Sequence, residues 1–189
     1  ITGDGEISVK TTGAGDAGEI SIETPNLTTD KIEITASTEA EGKGGAITAK
    51  TDTLTLDNNS QLTVKANSSG DAGDIKIETG SLTVENGAQI SAQTEASGEG
   101  GDINISGPEK LNITGDGQIS ASTSGAGKGG NIDIIAPETR LNITGEGEIS
   151  ASTSSTGQGG NIELKATETI DITGDGEISV KTTGAGDAG

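Results

Sequence analysis

Residues 101–129 read GDINISGPEKLNITGDGQISASTSGAGKG. Apolar and polar residues alternate there in three short runs: Ile103-x-Ile105, Leu111-x-Ile113 and Ile119-x-Ala121-x-Thr123. Alternation with a period of two, bounded by Gly, Asp, Asn and Pro, is the pattern of half-buried strands. Each run is too short to bury an apolar face by itself. The same unit recurs along the whole chain, so the units must bury their faces against one another.

Three sets of anchors carry the repeat. The first-run anchors are Ile20, Ile47, Ile75, Ile103, Ile132 and Ile162. The second-run anchors are Leu27, Leu54, Leu82, Leu111, Leu141 and Ile170. The third-run anchors are Ile7, Ile34, Leu62, Ile90, Ile119, Ile149 and Ile178, which sets a period of 27 to 30 residues. Each third anchor lies 13 residues before the next first anchor, whereas the other two separations vary from 7 to 9 and from 7 to 8. One corner of the unit is therefore held at constant length while the others accept insertions.

That corner has its own pattern. Five residues before each first anchor stands glycine (Gly15, Gly42, Gly70, Gly98, Gly127, Gly157), and two before it stands glycine again (Gly18, Gly45, Gly73, Gly101, Gly130, Gly160). The residue three before is always Gly or Ala. A turn needing φ > 0 would call for glycine, and the small neighbour points to close packing of successive backbones.

These features predict an all-β chain folded as a parallel β-helix, or β-solenoid: six coils of 27–30 residues, three short strands each. Strands of successive coils would lie about 4.8 Å apart, so six coils advance about 29 Å. The crossover preference makes the coil right-handed. Helical repeats are excluded by the absence of 3.6-residue periodicity, and collagen by glycine's irregular spacing. Residues 172–189 are identical to residues 1–18. The expected organisation is a single continuous solenoid segment over 1–189, cut from a longer array of 171-residue modules.

Composition narrows the function. The 189 residues include no Phe, Tyr, Trp, Cys, Met or His, and hydrophobic residues make up only 28%. A net charge of −19 with no basic cluster argues against nucleic acid as a partner. Zero cysteine removes disulfides and thiolate metal sites, and no apolar run approaches 18 residues, so membrane insertion is not expected.

Outward positions also form ladders. Glu6, Glu33, Gln61, Gln89, Gln118, Glu148 and Glu177 precede the third anchors, and Ser8, Thr35, Thr63, Ser91, Ser120, Ser150 and Ser179 follow them. Stacked amides hydrogen-bond along the axis. Stacked carboxylates repel, which makes the glutamate pairs at the module junction the weak places.

The grammar G-x-G-G-x-I-x-I, L-x-I-T, G-x-x-I-S-A-S-T, as in 127–153, resembles the repeats of filamentous-haemagglutinin-like exoproteins of the two-partner-secretion type, especially the large repetitive versions of cyanobacteria and other Gram-negative bacteria. The resemblance covers all six units. It implies a right-handed β-helical fibre, secreted to the cell surface or extracellular matrix, acting as an adhesin or matrix filament. The expected role is a rigid spacer and self-association surface. A glycan-binding adhesin face, with surface polysaccharide as partner, and an ice-binding solenoid are the alternatives.

Local motifs that suggest chemistry have plainer readings. Gly13-x-Gly15-x-x-Gly18 and Gly125-x-Gly127-x-x-Gly130 match a dinucleotide fingerprint, but a strand rather than a helix follows. The turn acids Asp4, Asp116, Glu146 and Asp175 are the candidate metal ligands, with calcium the candidate ion. A calcium cage needs six to eight oxygens, and Lys31 or Asn59 replaces the acid in other coils; solvated turn acids are the preferred reading, with no cofactor. An ice-binding face would want uniform threonines, whereas the next outward position mixes Lys10, Ser37, Lys65, Gln93, Ser122 and Ser152. No catalytic residues and no enzyme activity are expected, because an active site is singular and every feature here repeats.

Overall fold

The computed structural model describes residues 1–95, 97–136, 140–166, 168–187 and 189. The described residues contain strands and no helix. In the first half these are β1 (Glu6–Thr11), β2 (Ile20–Glu23), β3 (Asn26–Asp30), β4 (Glu33–Thr38), β5 (Ile47–Asp57), β6 (Gln61–Ala66), β7 (Ile75–Glu85) and β8 (Gln89–Thr94). They continue with β9 (Ile103–Ser106), β10 (Lys110–Thr114), β11 (Gln118–Thr123), β12 (Ile132–Ala136), β13 (Arg140–Ile143), β14 (Glu148–Thr153), β15 (Ile162–Ala166), β16 (Thr169–Ile172) and β17 (Glu177–Thr182).

Every pairing between these strands is parallel, and each joins one coil to the next. The chain is a β-solenoid. The third runs form a seven-stranded sheet in the order β1-β4-β6-β8-β11-β14-β17. Its register places Ile7 beside Ile34, then Leu62, Ile90, Ile119, Ile149 and Ile178. The first-run anchors stack on one another in the same way, from Ile20 to Ile162, and so do the second-run anchors, from Leu27 to Ile170.

The expectation of three separate strands per coil is met in part. β5 and β7 each run unbroken for 11 residues through the first and second runs, and they tie both ladders into one ten-stranded sheet. In those coils the anchors are 7 residues apart with no proline between them. In two other coils Pro25, which has no N–H to donate, and the Gly107–Pro108 pair interrupt the strand. The face still bends inside β5, because buried positions step from Thr51 to Leu54 rather than by twos. The N–H groups of Asp52 and Thr53 both donate to the Pro25 carbonyl, at 2.8 and 2.9 Å. Thr51 and Thr79 close the inside of this bend with a 3.0 Å hydroxyl–hydroxyl bond.

The core is a narrow aliphatic column. Ile34, Leu54, Leu62, Ile75, Ile90 and Ile103 are among its fully buried members. Exposure rises only in the outer coils, where a side chain is covered from one side; Ile170 is 45% exposed.

The constant-length corner corrects one expectation. None of its glycines takes a left-handed φ. A Cβ built on Gly42, Gly70, Gly98, Gly127 or Gly157 would instead overlap the carbonyl oxygen of the corresponding glycine one coil earlier. The same holds at Gly45, Gly73, Gly101, Gly130 and Gly160. Glycine is needed because backbone stacks directly on backbone, with no room for a side chain. Left-handed residues cluster at the corner after the second run (Gly3, Lys31, Asn58, Asn59, Asn86, Gly87, Gly115, Gly145 and Gly174), with Gly107, after the first run, the exception. Asn tolerates this conformation at little cost. Asn58 and Asn86 also use it to reach an acid of the coil before, Nδ2 donating to Asp30 at 3.0 Å and to Asp57 at 2.7 Å.

Candidate functional site

The candidate cation ligands sit at the tips of the turns after the second run. Register stacks Gly145 on Gly115 and Gly174 on Gly145, so Asp116, Glu146 and Asp175 form one row with one carboxylate per coil. Asp4 stands at the far end of the same row, separated from them by the turns that carry Lys31, Asn59 and Gly87. The structure thus brings three of the four candidates into line and leaves the fourth apart. Among the described residues, no group of three or more Asp, Glu, His or Cys converges to hold a metal ion.

The glycine corner forms a groove of about 650 Å³ along the axis, floored by backbone. Lys43, Asp71, Glu99 and Lys128 line one side, and Asp74, Asp102 and Asn131 the other. The carboxylates of Asp71, Asp74 and Asp102 are engaged by the next coil. Asp71 Oδ1 accepts the Glu99 N–H at 2.9 Å, and Asp74 Oδ1 accepts that of Asp102 at 3.1 Å. Asp102 Oδ1 accepts both the Asn131 N–H, at 2.7 Å, and its Nδ2, at 3.0 Å. Asn131 Oδ1 does the same for the Asn161 N–H at 3.0 Å. Each side chain caps a backbone donor that the turn leaves unpaired. Both G-x-G-x-x-G matches fall on this corner and are followed by β2 and β12. The arrangement is a turn lock rather than a phosphate cradle. The sequence reading missed the Asp–Asn ladder; the signal was a side-chain acceptor recurring at the residue before the first anchor, in Asp74, Asp102, Asn131 and Asn161.

The seven-stranded sheet presents three outward columns. The first runs Glu6, Glu33, Gln61, Gln89, Gln118, Glu148, Glu177; its junction glutamates stack in register as expected, Glu6 on Glu33 and Glu148 on Glu177. The middle column is the Ser/Thr ladder, whose Ser91 and Ser150 are buried, at 2% and 8% exposed, while Thr35, Thr63, Ser120 and Ser179 are half-buried and Ser8 is exposed. Ser150 Oγ donates to Ser120 Oγ at 3.4 Å, whereas the Ser91 hydroxyl has no partner. The third column is Lys10, Ser37, Lys65, Gln93, Ser122, Ser152, Lys181. Lys10 pairs with Glu39 and Lys65 with Glu95; the hydrogen bond to Glu39 raises the Lys10 pKa.

On the ten-stranded sheet, Asp133 lies between Asn104 and Glu163 in the ladder. Burial, and after it the charges of Glu163 and Asp102, push its carboxyl above the ordinary aspartate value. A raised folded-state pKa means that the ionised form costs stability at neutral pH, and that the cost disappears as pH falls below the unfolded-state value. Asp133→Asn, which extends the amide started by Asn104, is expected to stabilise the chain at pH 7 by about 0.2–1 kcal/mol, the usual scale for like charges directly opposite. Urea denaturation at pH 7 and at pH 3 checks this; an equal gain at both would show that charge is not the cause.

The glycine-corner groove holds side chains that satisfy the neighbouring coil, a pattern repeated along the axis. Comparison with family models, curated proteins and solved structures returned no match for the chain.

Proposed function

We propose that this chain is a structural segment of a secreted filament, on the cell surface or in the extracellular matrix of a Gram-negative bacterium, in which each coil adds about 4.8 Å of stiff length. The likeness to filamentous-haemagglutinin-like repeats is part of this reading. The observation that carries it is the unbroken register: every third-run anchor from Ile7 to Ile178 pairs with its counterpart in the next coil, and the flanking ladders repeat with it. Such a column suits a spacer. It has one kind of surface repeated along its length, and acid-rich sides that discourage nonspecific clumping. Catalysis has no part in the proposal, because the chemistry-bearing groups recur coil by coil and serve the stack.

Immuno-electron microscopy of the source cells, with antibody raised against this repeat, tests the reading. Label along thin fibres on or between cells is the expected result. Label confined to the cell interior would overturn it.

A further inference from the structure

We propose that the outward face of the seven-stranded sheet pairs with the same face of a second copy, the two solenoids running in the same direction about a two-fold axis parallel to their length. The inference rests on the filament reading and names the surface through which filaments associate.

Two observations single out this face. In a chain of net charge −19, its central coils (β6, β8 and β11) present Gln61, Gln89, Gln93, Gln118 and the Ser/Thr ladder, with Lys65 the only charge. At its centre, Ser91 is nearly fully buried on the outward side of β8, opposite in parity to Ile90 and Ala92, and its hydroxyl has no partner. Its own chain covers that hydroxyl, so a partner reaches it only when a neighbouring side chain swings aside, and the bond left unmade is then open to the acceptor or donor the partner brings.

Charge then chooses between the two ways of laying the face on itself. If the solenoids run in opposite directions, each column meets itself reversed. Glu6 then faces the partner's Glu177, Glu33 the partner's Glu148 and Lys10 the partner's Lys181, so like meets like throughout the outer coils. If they run in the same direction, the first column meets the third, coil by coil. Glu6 then faces the partner's Lys10 and Glu177 the partner's Lys181, while Gln61 faces the partner's Lys65. Glu33, Gln118 and Glu148 fall opposite the short side chains of Ser37, Ser122 and Ser152. Glu6, Glu177 and Lys181 enter no ion pair among the described residues, so Glu177 and the partner's Lys181 are free to meet, while the partner's Lys10, held by its own Glu39, would be shared with Glu6. The interface is isologous, and the Ser/Thr ladder lies on the axis facing its own copy.

The chain contains no cysteine, so single cysteines report the geometry directly. Packed sheet faces stand about 10 Å apart, too far for a direct disulfide, so a short bis-maleimide is the linker. Thr63→Cys and Ser120→Cys, each alone, are expected to give about tenfold more cross-linked dimer than Thr83→Cys on the other sheet, since pairing raises the local concentration of the facing thiols. In a mixture of the first two, same-direction pairing gives 63–63 and 120–120 products. A dominant 63–120 product would show opposite directions and overturn the proposal. Cross-linking of both variants at the Thr83→Cys level, with the unmodified chain sedimenting as a monomer, would also overturn it. Far-UV circular dichroism confirms that each variant is folded, and the two independent positions guard against failure of one. Fibres that run singly on cells, together with no face-specific cross-linking, would leave the filament reading standing and remove this one.

Discussion

Gly101→Ala is expected to destabilise the solenoid by about 3 kcal/mol, the upper part of the range for forcing atoms into a packed site. The new methyl would overlap the Gly73 carbonyl oxygen and crowd its carbonyl carbon. Both belong to backbone, so no side-chain rotation relieves the clash. The coils must move apart locally, which stretches the β7–β9 and β9–β12 ladders on that side of the stack. Gly13→Ala is the control: the same corner, the same chemical change, and open space around the added methyl. It should lie within about 0.5 kcal/mol of the parent, as surface substitutions do. Urea melts of the two variants decide the matter. Equal stability would mean that coil spacing at this corner is not limited by glycine.

The second large effect is expected in the middle of the column. Ile90→Ala removes a fully buried side chain that sits between Leu62 below and Ile119 above. Lost transfer energy and the residual cavity together should cost about 2–5 kcal/mol. Ile170→Ala makes the same kind of deletion in the last coil, where the side chain is 45% exposed, and should cost well under half as much. In a stack whose units touch only their neighbours, the central loss also interrupts the coupling between the two halves. Hydrogen exchange should therefore show faster opening on both sides of β8 in Ile90→Ala, and only at the end in Ile170→Ala. A uniform response along the column would argue against nearest-neighbour cooperativity.

Much of the fold was legible before any coordinates. Period-two alternation tells which side of each strand faces inward, and recurrence along one chain tells which residue stacks on which. Ile7, Ile34 and Leu62 were set in one ladder by spacing alone, and the structure pairs them so. The candidate functional groups were less legible. Asp4, Asp116, Glu146 and Asp175 could be named from their turns, but how far apart the row holds them is a property of the stack. The Asp–Asn locks stayed hidden although their acceptors recur before the first anchor and join residues 28 to 30 positions apart, as the ladders do, such as Asp102 to Asn131. Their partner is a backbone N–H, which leaves no mark in residue identity.

Sequence by itself determined the coil, its length, its ladders and the aliphatic column, because these follow from local alternation repeated at a regular interval. Tertiary structure decided two further matters: that the corner glycines answer only to the close approach of backbones that their small neighbours pointed to, and not to φ, and that the Ser91 hydroxyl is covered and unpaired. The physical reason is common to both. Each depends on what fits in the gap of about 4.8 Å between one coil and the next, and that gap exists only once the coils are stacked.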